Sequence, residues 1–136
     1  MAKRTFMVSW TVALAAFALH CADESSDDQC PSILDEVYPA LAEVSDDALA
    51  SDLSCSSDAD CTSIAIYVSC TSGCGNTHVV RRDAAASFTG RVQAVEQDLC
   101  GEFAANECRP PPVEPCTLRP MVAACNAGKC EARFLE

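Results

Sequence analysis

With 136 residues, a formal net charge of −11 and eleven cysteines, this chain has room for one small domain and the sulfur content of a disulfide scaffold. Its negative charge argues against nucleic acid as a partner, because such a surface repels phosphate backbones; a cation or a basic protein fits better. One tryptophan, two tyrosines and five phenylalanines promise only a modest core, so the fold needs covalent support, each bridge contributing about 2–4 kcal/mol chiefly by restricting the unfolded chain.

The chain begins with a short cationic start, Met1-Ala2-Lys3-Arg4, followed by fifteen uncharged residues from Thr5 to Leu19. Spanning a bilayer as a helix takes roughly 20 apolar residues, and this shorter run has the layout of a secretory signal. Two cuts are open. Ala16-Phe17-Ala18 is an A-x-A site. Alternatively Ala18-Leu19-His20-Cys21 resembles the lipobox of bacterial lipoproteins, which implies acylation of Cys21 and a membrane anchor. Parity favours the second: removing Cys21 from eleven cysteines leaves an even set that can pair completely. The expected organisation is therefore a signal peptide over 1–20, a lipidated cysteine with a polar tether over 21–29, and a disulfide-rich globular domain over 30–136.

No Lys or Arg occurs between Thr5 and Val80, a stretch that carries twelve acids from Asp23 to Asp60. Within it, Ile33, Leu34, Val37, Leu41, Val44, Ala48 and Leu49 recur at helical spacing, predicting a helix over Pro31–Leu53. Pro31 suits a first helical turn, whereas Pro39 predicts a kink or two pieces near Tyr38. Residues 54–61 form a tight loop with a cysteine near each end. Thr62–Val68 is β-branched and uncharged, the best strand in the chain. Cys70–Gly75 is a turn with two glycines. Arg81–Leu99 predicts a second helix, with Phe88, Val92, Val95 and Leu99 as its apolar face. Cys100–Cys116, with four prolines, is expected to be extended loop. Met121–Cys125 and Cys130–Leu135 flank Asn126-Ala-Gly-Lys129, a hairpin turn with Gly128 available for positive φ. The fold class expected is α+β: two helices and a short, three-stranded antiparallel sheet ending in a hairpin.

The cysteines Cys30, Cys55, Cys61, Cys70, Cys74, Cys100, Cys108, Cys116, Cys125 and Cys130 are expected to be bridged. Ten cysteines allow about 945 pairings, and a short-range pair such as Cys125–Cys130 is geometrically possible. Cys70, Cys74 and His78 have a C-x3-C-x3-H spacing that invites zinc, but zinc needs reduced thiols and export works against them. Asp58 and Asp60 could offer oxygens to calcium, without the frame of an EF-hand. No metal or cofactor is therefore expected. His78 is the one histidine after the signal, and no nucleophile elbow lies near it, so no catalytic residue is assigned and an enzyme is not expected.

Cys55-x5-Cys61 followed by Cys70-x3-Cys74-Gly75 partly resembles the whey acidic protein, or four-disulfide core, domain, which implies inhibition of serine proteases; Ser69 stands where that family has a further cysteine. The whole pattern of lipoprotein-like start, C-x5-C before the first strand and closing Gly128-Lys129-Cys130 resembles cysteine-rich exported proteins and lipoproteins of myxobacteria, which implies an envelope location. The reading is a non-enzymatic exported envelope protein, anchored by lipid and acting as a binding module for a basic protein or a protease, with a secreted serine protease inhibitor as the alternative.

Overall fold

The computed structural model describes residues 26–112, 115–116 and 120–135; the signal segment and Cys21 lie outside them. Helix α1 spans Ser26–Ala50. Strands β1 (Cys61–Ile66) and β2 (Asn76–Arg81) form an antiparallel pair. Helix α2 (Arg82–Val95) follows β2 directly and passes through a π-helical turn, Glu96–Cys100, into the short helix α3, Gly101–Ala105. Strands β3 (Met121–Asn126) and β4 (Lys129–Phe134) make a second antiparallel pair.

The small disulfide-rich α+β class is as expected, with one difference in the sheet and two in the helices. The strands form two separate two-stranded sheets instead of one three-stranded sheet, because β1 takes β2 as its hydrogen-bonded neighbour. Helix α1 runs through both Pro31 and Pro39 as one element; Val37, Leu41 and Val44 pack on either side of Pro39, and tertiary packing outweighs the local cost of proline. The stretch after Leu99 is helical to Ala105 rather than extended, since Cys100 and Phe103 are both buried.

Two adjoining clusters make the core. Ile33 and Val37 of α1 pack with Val68, Cys70, Cys100 and Phe103. One turn or two further along, Val44 and Ala48 pack with Ile64, Ile66, Val80 and Phe88. Leu41 and Val92 border both clusters, so α1 is a spine lying across α2 and the first sheet. The hairpin β3–β4 contributes only Ala124 and Cys130 to the buried set.

Five disulfides close the structure: Cys30–Cys108, Cys55–Cys125, Cys61–Cys130, Cys70–Cys100 and Cys74–Cys116. Cys125 and Cys130 are register partners in the hairpin, yet they do not bond to each other; they reach out to Cys55 and Cys61. Two adjacent bridges thus clip the hairpin to the loop before β1. Ala127 and Gly128 have φ of 49° and 79°, the two positive values of a type I′ turn. Backbone bonds complete the junction: the Cys55 and Cys130 N–H groups donate to the Gly128 and Leu53 carbonyls. Five bridges fit an oxidising space outside the cytoplasm. Among the described residues no helix is long and apolar enough to cross a membrane.

Candidate binding cleft

Helix α1 presents a second stripe beside its buried one. Tyr38, Leu41, Ala42, Ser45 and Asp46 fall at helical spacing and line one wall of a cleft of about 380 Å3. The opposite wall is the loop joining β1 to β2, with Tyr67, Thr71, Gly73, Cys74 and Gly75, closed at its base by Ile66 and Asn76, themselves register partners.

That loop is fastened at several points. Cys70 is bridged to Cys100 at the end of the π turn, and Cys74 to Cys116. The Ser69 N–H and hydroxyl both donate to the Glu96 carboxylate. The buried Thr71 hydroxyl donates to the Val68 carbonyl. Gly75 has φ of +60°, and a Cβ there would stand 2.7 Å from Cβ of Tyr67. Only glycine permits both the left-handed backbone and this approach. Tyr67 is 58 % exposed and Tyr38 47 % exposed, so Tyr67 is an exposed aromatic side chain seated against a fixed backbone.

At the edge of the cleft, Ser45 Oγ and His78 Nε2 are 2.8 Å apart, tying α1 to β2. This places His78 beside a hydroxyl, as a Ser–His pair requires. Ser45, however, lies inside a helix whose neighbouring N–H groups are committed to carbonyls four residues back. No free backbone donors flank it to hold a developing oxyanion. The pair acts as a strut between helix and strand.

A larger cavity, about 610 Å3, lies at the junction with the hairpin and is lined by Ser54, Cys55, Asp60, Arg81, Arg82 and Asp83 among others. Its charges are taken up internally. Arg81 grips Asp83 with two nitrogens and reaches Asp52 at 3.1 Å; Asp83 first, then Asp52, raise the Arg81 pKa above its ordinary value. Arg82 donates to the Ala59 and Cys61 carbonyls. Asp60 accepts from the Ser56 and Ser57 N–H groups, which hold its carboxyl below the usual range. Asp58 accepts from the Cys125 N–H. Both aspartates considered for calcium thus act as turn and junction acceptors.

The sulfurs considered for zinc are oxidised: Cys70 and Cys74 are in separate bridges, and His78 meets the Ser45 hydroxyl. The closest sulfur group among the described residues is Cys55, Cys61 and Cys130, within 4.8 Å of one another, where the two hairpin clips meet. Reading the sequence overlooked Tyr38, Asp46, Tyr67 and Gly75 as a group. A signal was present, since Tyr38 and Tyr67 are the chain's two tyrosines and Asp46 lies eight residues after Tyr38.

Fold and cleft together define a small, disulfide-stapled α+β domain with a preformed surface cleft. Compared with family models, with curated proteins and with solved structures, the chain matches none.

Proposed function

We propose that this protein is a non-enzymatic, exported binding module of a bacterial cell envelope, anchored through lipid on Cys21, with a basic protein as its partner. The observation that carries the reading is the set of five disulfides, which fits an oxidising compartment and supplies the rigidity a small recognition surface needs. The charge supports the partner: without Lys3 and Arg4 the chain holds seven basic and twenty acidic residues, a field that attracts cations and raises encounter rates with basic surfaces. Residues 22–29 are polar and acidic; the first four, ahead of the helix that starts at Ser26, suit a short tether between lipid and domain.

Intact mass of the protein isolated from membranes, before and after reduction, tests this. The expected result is an acyl adduct on Cys21 as first residue and a gain of about ten hydrogens on reduction. Eleven alkylatable thiols in the native protein would overturn the reading. Capture of basic proteins by the immobilised domain tests the partner. A second reading, inhibition of a serine protease, draws on the Thr71–Gly73 segment, pinned between bridged Cys70 and Cys74; stoichiometric loss of protease activity would favour it.

A further inference from the structure

We infer that the cleft between α1 and the β1–β2 loop seats an organic cation, an ammonium or guanidinium group, against Tyr38, Tyr67 and Asp46. The inference rests on the proposal of a basic partner and names the place where that partner is read.

Three observations converge. First, among the described residues Asp46 is the one charged residue lining the cleft, so the local field favours a positive ligand and disfavours phosphate or carboxylate. The overall excess of acids acts in the same direction. Second, two exposed tyrosines line the same space. Aromatic faces carry negative charge density and attract ammonium and guanidinium groups, most strongly where water is partly excluded. Third, the wall carrying Tyr67 is set before any ligand arrives, by the Cys70 and Cys74 bridges and by Gly75. Little ordering is then needed on binding. The volume, about 380 Å3, lies at the low end of small-ligand sites, about 300–1,000 Å3, and suits one or two cationic side chains. Among the described residues no cation pairs with Asp46: the four ion pairs involve Asp52, Asp83, Glu43 and Asp47.

Tyr38 and Tyr67 are the chain's two tyrosines, and Trp10 its one tryptophan. In the chain starting at Cys21, which lacks Trp10, tyrosine fluorescence therefore reports on this cleft alone. The probes are a capped hexalysine peptide, n-butylammonium chloride and, as controls, hexaglutamate and hexaserine. Hexalysine is expected to change the tyrosine signal saturably, with affinity falling as salt rises, while the controls leave it unchanged. Asp46→Asn and Tyr67→Ala are each expected to weaken hexalysine binding by about tenfold, with Tyr67→Phe close to the parent. Far-UV circular dichroism checks that Tyr67→Ala is folded, and Asp46→Asn is a surface change of equal size. Saturation and competition by n-butylammonium would identify a free amine as sufficient; response to the peptide alone would identify a lysine side chain in its chain context. Hexalysine binding that both variants leave intact would overturn the cleft assignment while the basic-partner reading stands. Absence of binding to the parent would overturn that reading itself.

Discussion

The helical body and the C-terminal hairpin are held in different ways. Around α1, packing dominates: Val37, Val44, Val80 and Phe103 are at most 2 % exposed, and the bridges add to a core already closed. In the hairpin, β4 buries only Cys130 and leaves Phe134 59 % exposed. What fixes it is the Cys55–Cys125 and Cys61–Cys130 pair, three backbone–backbone or carboxylate bonds at the junction, and its own turn. One chain thus contains a domain that sulfur reinforces and an appendage that sulfur attaches.

The sharpest way to break this contrast is to strike each region by its own mechanism. Phe103→Ala removes a ring from the core and should cost about 3–5 kcal/mol, seen in chemical denaturation of the oxidised protein. A loss below about 1 kcal/mol would mean the helical body is not packing-dominated. The double change Cys61→Ser with Cys130→Ser should cost about 2–4 kcal/mol. Hydrogen exchange should show the loss of protection concentrated in Met121–Phe134, with α1 protected. Equal loss in α1 would join the two regions into one unit.

Smaller changes sharpen the picture at the cleft and the junction. Gly75→Ala meets both a positive φ and Tyr67 Cβ, and should cost about 1–3 kcal/mol while shifting the Tyr67 ring signals in proton NMR. Ser45→Ala removes the hydroxyl facing His78 and should cost about 0.5–1.5 kcal/mol in thermal unfolding. The effect of acid should be milder and local. The Asp52 carboxyl is held below its ordinary value near 3.8 chiefly by the Ser54 N–H and hydroxyl, with Arg81 adding, and Asp60 by the Ser56 and Ser57 N–H groups. Groups with depressed folded-state pKa values lend stability that is complete above the unfolded value and lost as pH falls through the folded one. Exchange protection around residues 52–60 should therefore be constant at neutral pH and decline below about pH 4. A decline beginning at pH 6 would point to another group.

Much of the fold could be read beforehand, for identifiable reasons. Ile33, Val37, Val44 and Ala48 repeat at helical spacing and bury together. Asn126-Ala-Gly-Lys129 carries its own turn chemistry. Strand β2 was not legible. It is short, bears His78 and Asn76 among its apolar residues, and abuts α2 with no turn residue between Arg81 and Arg82. Pairing was hidden for a related reason, since which strand joins β1 and which sulfur joins Cys55 depend on contacts between residues far apart in sequence. The cleft was invisible as a site because its two walls meet only once Cys70 and Cys74 have found Cys100 and Cys116.

None of the five bridges among the described residues joins neighbouring cysteines along the chain; partners are separated by 78, 70, 69, 30 and 42 residues. A polypeptide threaded out amino-terminus first presents Cys30, Cys55 and Cys61 to an oxidant well before Cys108, Cys125 and Cys130 emerge. Thiols oxidised in order of arrival would lock the wrong mates. Under that order of oxidation the native crosslinks would require reshuffling by thiolate exchange, and expression in a host lacking a disulfide isomerase is then expected to yield scrambled, protease-sensitive material.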